Sequence, residues 1–187
     1  YAGYDHAAYL APRESRHILG EARLTHTDQL RMRRWPDVVN IAYSNHDIKG
    51  PSSSDWVRIG LIPPNLEVEI PYRALLPRGI DGLLLAGKAI SATHDALPAI
   101  RMQADLENLG GVCGVAAAYC ALHGIRPREM PIRHLQQALV ARGVLPPSVL
   151  ERELASDELS SDDLRRLVDA LDEVQELYRY SDMDFGT

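Results

Sequence analysis

A long helical pattern over residues 103–123 contains three interior glycines, and these restrict most strongly how the chain folds. Gly110, Gly111 and Gly114 each cost about 1 kcal/mol relative to alanine, so the helix needs a compensating reason to keep them. Gly110, Gly114 and Ala118 recur every four residues and therefore share one face. A helix face without side chains lets another backbone or a flat ligand approach closely.

The stretch before this helix, LLLAGKAISATHDALPAIRM (residues 83–102), offers two explanations for the glycines. Residues 83–86 are an apolar run typical of a strand buried on both faces of a sheet. The glycines then serve either tight packing of the helix on residues 83–87 or the approach of a ligand. In the second case the helix, which begins after Arg101, points its free N–H groups at a polar group of a cofactor. The residues leave both explanations open.

Alternating and β-branched segments elsewhere predict strands. These segments cover residues 16–24, 38–43, 57–61 and 66–70. Residues 44–56 are rich in serine, with a glycine and a proline, and are predicted to be a loop. Strands and helices together predict the α+β class.

Three helices are predicted from the residues at their ends. The long helix stops at Gly124, since glycine accepts the left-handed backbone that ends helices. A short helix is capped by Thr25 or Thr27 and runs to Arg34, just before a proline. A third helix is predicted over residues 131–143, because a proline suits its first turn and a glycine its end.

The net charge of −6 is concentrated at the C-terminal end. Residues 151–187 hold 12 acidic and 4 basic side chains, whereas residues 1–150 hold 14 acidic and 16 basic side chains. Nucleic-acid binding needs clustered Lys and Arg and is not expected. The basic cluster of Arg31, Arg33 and Arg34 is predicted to be a solvated face. No apolar run approaches the ~20 residues that span a bilayer, so a membrane partner is not expected either.

The acidic tail also carries a predicted amphipathic helix. Ser160 with Asp163 resembles a capping box, and apolar residues recur at helical spacing over residues 164–178. Such a helix docks on the rest of the chain or binds a partner. A non-enzymatic interaction domain that recruits a partner through this tail is therefore one candidate function.

Cys113 and Cys120 are about two turns apart in the long helix, which separates their sulfurs by ~10 Å along its axis. They cannot pair with each other in an intact helix. Two buried thiols are predicted, which is compatible with a reducing compartment.

The polar loop supplies candidate catalytic groups. His94 and Asp95 form an acid–base pair in one interpretation, and a polar loop with His94 bonded to backbone in the other. His94 with His46 and Asp47 makes a weaker candidate for a metal site. A hydrolase site of Ser91, His94 and Asp95 lacks the G-x-S-x-G turn that such a nucleophile needs.

Two arginines each suit either a substrate carboxylate or a structural ion pair. The interpretation favours a functional role for Arg101 and a structural one for Arg73.

The loop and the glycine-rich helix, together with residues 135–143, resemble the C-terminal part of a family of FAD-dependent oxidoreductases. In that family's pattern a strand ends in Ala-Gly-Arg, and Ser-Ala-Thr, an arginine and a helix of the form Gly-x-x-x-Gly-x-Ala-Ala follow. Residues 13–28 and 70–77 resemble upstream segments of the same family. The resemblance covers residues 13–143.

The chain departs from the family pattern at three points. Lys88 replaces the arginine after Ala-Gly, and Gly111 replaces a common glutamine. No GxGxxG motif is present, although such flavoproteins hold the FAD pyrophosphate with one. Because the chain also begins at Tyr1 without a methionine, it is expected to be a C-terminal portion whose FAD-pyrophosphate-binding half lies upstream.

The resemblance implies three regions. Residues 1–78 are part of a substrate-binding β-sheet domain, and residues 79–127 are the last strand and Gly-rich helix of the FAD-binding domain. Residues 128–187 are C-terminal helices with the acidic tail. The expected fold is thus a fragment of an α/β FAD-binding fold plus a substrate-domain sheet and a helical extension.

The resemblance also implies two-electron transfer between a small-molecule substrate and FAD, with Arg101 as a candidate catalytic residue at the pyrimidine end of the flavin ring. His94 is a second candidate catalytic residue, from the polar loop itself. A positive charge and a helix N-terminus stabilise the anion of the reduced flavin. A bound N-terminal half, self-association and a cytoplasmic location are further expectations. The implied cofactor-binding residues are Ala86, Gly87, Lys88, Ile90, Ser91, Ala92, Met102, Gln103, Gly110 and Gly114, with the N–H of Ala104.

Overall fold

The computed structural model describes residues 12–44 and 66–152. The predicted strand at 57–61, the loop with His46 and Asp47, and the acidic C-terminal helix lie outside these ranges.

Two strands form an antiparallel sheet in the described part of the chain: β1, Val38–Ala42, and β2, Val68–Pro71. Ala42 pairs with Val68, and the register shifts between Val38 and Asn40. All residues of both strands are buried, so both faces of the sheet are covered. The predicted strands at 38–43 and 66–70 are confirmed, as is the mixed α+β class.

The first helix, α1, covers His26–Leu30 and begins at a capping box. The N–H of Asp28 donates to Oγ1 of Thr25 at 3.2 Å, and the N–H of Thr25 donates to the Asp28 carboxylate at 2.9 Å. This confirms Thr25 as the cap. The predicted end at Arg34 is wrong, because the backbone of Met32 is left-handed, with φ 46°, and stops the helix.

The long helix, α2, covers Gln103–His123 and ends at Gly124, whose φ of 64° is left-handed as predicted. The third helix, α3, covers Ile132–Ala141 and starts one residue after Pro131. Both helices contact β1. The core between them contains Leu109, Val112 and Ala116 of α2 and Leu135 and Leu139 of α3.

The predicted strands at 16–24 and 83–86 are not found. The first makes only isolated bridges, Gly20 with Pro77 and Leu24 with Ala92. In the second, the N–H of Leu85 donates to the carbonyl of Leu75 at 2.9 Å. A strand needs successive hydrogen bonds to one neighbouring strand, whereas these bonds go to separate segments.

No helix within the described ranges is long and apolar enough to cross a membrane.

Candidate functional site

The loop that carries most of the predicted site residues is hydrogen-bonded to two distant segments. The N–H of Ser91 donates to the carbonyl of Ala74 at 3.1 Å. The N–H of Leu24 donates to the carbonyl of Ser91 at 3.0 Å, and the N–H of Thr93 returns a bond to the carbonyl of Leu24 at 2.8 Å. The loop backbone is therefore held on both sides.

Two hydroxyl groups in this loop are buried without a hydrogen-bond partner. Oγ of Ser91 and Oγ1 of Thr93 contact no donor or acceptor among residues 12–44 and 66–152. Buried hydroxyls are normally bonded, and leaving one unpaired costs about 1–3 kcal/mol. A polar partner at this position would remove that cost.

The first part of the loop is a 3₁₀ turn, Gly87–Ala89, that contacts α2. Gly87 has a left-handed backbone with φ 76°, which explains the glycine. The ammonium of Lys88 donates to the carbonyl of Pro12 at 3.0 Å. Ala86 is half-buried, whereas the side chains of Ile90 and Ala92 lie in the core.

The N-terminus of α2 has no side-chain cap among the described residues. Met102 is its N-cap residue and is half-buried, as is Arg101, whereas Gln103 and Ala104 are exposed. The uncapped first turn keeps N–H groups available to an acceptor.

The glycine face of α2 is open in the described part of the chain. Gly110, Gly111 and Gly114 are exposed, and a Cβ atom added to any of them would meet nothing within 4 Å. The explanation by tight packing on residues 83–87 is therefore wrong. Neighbouring positions on the helix, Ala118 among them, are exposed too.

A buried carboxylate in the first turn of α2 was missed by the sequence analysis. Asp105 accepts hydrogen bonds from Nδ2 of Asn40 at 3.3 Å and from Oγ of Ser44 at 3.1 Å, and Asn108 donates to Asn40 at 3.2 Å. Burial raises the pKa of Asp105, although both hydrogen bonds to it act in the opposite direction. Asn40 inside an apolar strand was the available sequence signal.

The carboxylate that His94 contacts is that of Glu14, which the sequence analysis also missed. Nδ1 of His94 lies 2.6 Å from Oε2 of Glu14, and Nε2 of His17 lies 3.0 Å from Oε1. The alternative with His94 bonded to backbone is therefore wrong. Burial alone would raise the pKa of Glu14, but hydrogen bonds and charges from both histidines lower it.

The structure does not support the hydrolase alternative, whereas the metal alternative depends on His46 and Asp47, which lie outside the described residues. Oγ of Ser91 lacks a partner in the described ranges, so it is not bonded to the imidazole of His94. Residues 12–44 and 66–152 contain no group of three or more His, Cys, Asp or Glu side chains placed to hold a metal ion.

Arg73 forms a structural ion pair, as the sequence favoured. Its Nε and Nη2 atoms lie 3.0 and 3.2 Å from the two carboxylate oxygens of Asp37, and its backbone N–H donates to the same carboxylate at 2.9 Å. A cavity of about 340 Å³ lies beside this pair, between Tyr72 and Met130. The predicted cofactor-binding residues do not line this cavity.

The basic cluster is exposed as predicted, but it follows α1 instead of lying on the helix. Arg33 contacts Asp28 and stacks 3.8 Å over the ring of Trp35, and Arg34 pairs with Glu69 at 2.9 Å.

The model of the FAD dependent oxidoreductase family matches residues 4–139 of the chain. No curated protein and no solved structure matches the chain.

Proposed function

The chain belongs to the FAD dependent oxidoreductase family, and from this premise we propose that residues 86–104 form part of the seat of its FAD. FAD is the cofactor, and when bound it exchanges two electrons with a substrate. The proposed reaction is two-electron transfer with a small-molecule substrate. Two observations carry the proposal: the pair of unpartnered buried hydroxyls in the loop, and the uncapped N-terminus of α2 that follows the loop in the chain.

The two hydroxyls fit a polar cofactor. Oγ of Ser91 and Oγ1 of Thr93 lie in a loop whose backbone bonds are already made, so the side chains are held in place while their bonding capacity is unused. The many oxygen and nitrogen atoms of FAD supply the missing partners.

The start of α2 fits the same ligand. Its N–H groups at Met102 to Ala104 and the guanidinium of Arg101 together present positive charge, which favours an electron-rich flavin ring. The open glycines further along the helix leave room for a flat group at the surface. Lys88, in the turn that contacts α2, adds a cation to this loop, where its ammonium donates to the carbonyl of Pro12.

The rest of the FAD seat comes from another part of the natural protein in this proposal. The 187 residues contain no GxGxxG motif for the pyrophosphate. The chain by itself is therefore expected to bind FAD weakly, which calorimetry measures directly. The family match favours this reading over an interaction domain, whose acidic tail lies beyond the matched residues.

Leucine substitutions on the open face test the seat. Gly110→Leu and Gly114→Leu add bulk where the cofactor is proposed to lie, and the Kd of the natural full-length protein for FAD should rise at least about tenfold, equivalent to 1.4 kcal/mol of binding. Ala121→Leu adds the same side chain to an exposed site ~10 Å further along α2 and should leave this Kd unchanged. An unchanged Kd in both glycine variants would contradict the proposal.

A further inference from the structure

Glu14 joins two imidazole rings that come from different parts of the chain. One carboxylate oxygen lies 3.0 Å from Nε2 of His17 and the other 2.6 Å from Nδ1 of His94. The side chains of Glu14 and His17 are each about four-fifths buried, whereas that of His94 is 85 % exposed. The carboxylate is therefore held on its buried side by His17, and its other oxygen contacts the exposed ring of His94.

His17 holds Glu14 in this position. Nδ1 of His17 lies 3.3 Å from the carbonyl oxygen of Ile90, so both of its ring nitrogens face oxygen acceptors. With its proton on Nε2, the ring donates to the Glu14 carboxylate while Nδ1 lies against the Ile90 carbonyl. His17 thus ties the Glu14 carboxylate to the backbone of the candidate cofactor loop.

The contact with Glu14 selects one form of the His94 ring. A carboxylate only accepts hydrogen bonds, so the neutral imidazole carries its proton on Nδ1 and leaves Nε2 unprotonated. Within the described ranges Nε2 of His94 has no hydrogen-bond partner. His94 lies one residue after Thr93, whose hydroxyl is one of the two unpartnered groups assigned to the cofactor seat.

We propose that Glu14 is a positioning residue that holds His94 with Nε2 as the proton acceptor for the substrate. This inference rests on the proposed function. With FAD bound as the hydride acceptor, Nε2 of His94 would take the proton from the O–H or N–H group of a substrate that is being oxidised. The resulting imidazolium keeps its Nδ1–H bond to the Glu14 carboxylate, which stays ionised.

The test reads the protonated nitrogen of His94 by ¹⁵N NMR of the 187-residue chain, with His94→Gln to assign the signals. The spectra are recorded at increasing pH until the His94 signals stop moving, so that the neutral form of the ring is read. The expected spectrum shows a protonated Nδ1 and an unprotonated Nε2. A proton on Nε2 in the unaltered chain overturns the proposal without any variant.

Two substitutions separate positioning from packing. Glu14→Ala removes the acceptor and should shift the His94 signals toward a mixture of the two neutral forms, whereas Glu14→Gln keeps an acceptor oxygen and should preserve the Nδ1–H form. Glu67→Ala, which removes an exposed carboxylate paired with Arg34, should change nothing at His94. Unchanged His94 signals in Glu14→Ala overturn the proposal. FAD binding by the natural protein is measured separately, so failure of the flavin assignment remains distinguishable.

Discussion

Gly20 and Ser91 lie against each other so closely that a Cβ atom on Gly20 would sit 2.7 Å from Cβ of Ser91. The same added atom would lie 2.9 Å from the carbonyl oxygen of Ala22 and 3.1 Å from that of Arg73. Two of these neighbours are backbone atoms that cannot move without breaking other bonds. The absence of a side chain at residue 20 is therefore a condition for the loop that carries Ser91.

We expect Gly20→Ala to destabilise the chain by about 1–3 kcal/mol, as overpacking of a dense core does. Urea unfolding measures this change. Gly114→Ala is the matched control, because its Cβ meets nothing within 4 Å and an alanine favours the helix by about 1 kcal/mol. Equal effects of the two substitutions would contradict the close contact.

The Asp37–Arg73 pair makes a second prediction. Asp37→Ala leaves the backbone N–H and two guanidinium N–H groups of Arg73 without their acceptor, and should cost about 2–3 kcal/mol. The value lies below the full cost of breaking a buried pair, because the Arg73 side chain is one-third exposed. Chemical denaturation measures it against Glu67→Ala, whose exposed pair with Arg34 should contribute about 0–1 kcal/mol.

Asp105 should make stability fall as the pH rises. Because burial raises its pKa in the folded chain, the folded state keeps a proton that the unfolded state releases between the ordinary aspartate pKa of about 3.9 and the raised value. Asp105→Asn cannot release this proton. Across that pH window, the free energy of unfolding of the unaltered chain should therefore fall relative to that of the variant, and the difference should persist at higher pH. Melting temperatures recorded against pH measure the difference.

A control for Asp105→Asn lies at the same position. An asparagine at residue 105 still offers hydrogen-bond partners to both Asn40 and Ser44. Asp105→Leu leaves both polar groups without this partner and should cost about 1–3 kcal/mol for each lost hydrogen bond. Parallel pH profiles for the unaltered chain and Asp105→Asn would refute the raised pKa.

The two cysteines should resist alkylation. Burial raises the pKa of Cys113 to about 11, and burial followed by the charge of Glu129 raises that of Cys120. Since the thiolate is the nucleophile, iodoacetamide at neutral pH should label neither residue until urea unfolds the chain. Mass spectrometry measures the extent of alkylation at each cysteine. Rapid alkylation of either cysteine in the folded chain would contradict the prediction.

Local signals predicted the three helices and the strands β1 and β2, but not the absence of strands at 16–24 and 83–86. Thr25 and Gly124 mark helix ends through their own side chain and backbone preferences. β1 follows from its β-branched residues, and β2 from the alternation of apolar and acidic residues over 66–70. These cap residues and strand patterns lie within a few residues of the elements they define, so they can be recognised in the sequence alone.

Features that depend on distant partners were not predicted. Residues 83–86 resemble a buried strand in composition, yet a strand is defined by its neighbours, and in the described chain one N–H there finds a carbonyl at Leu75. Glu14 and His94 are 80 positions apart, and Asn40 and Asp105 are 65 apart. Asn40 in an apolar strand signals a polar partner but not which residue supplies it, so Glu14 and Asp105 were identified only through the fold.

The exchange of backbone bonds between Leu24 and the residues Ser91 and Thr93 also orders events during synthesis. The segment around Leu24 leaves the ribosome long before its partners exist. It must remain unpaired until residue 93 has emerged, and a nascent chain stopped before that point exposes apolar residues that belong in the core. The candidate cofactor loop therefore closes on this early segment only after residue 93 is made, and α2 and α3 complete the core later still.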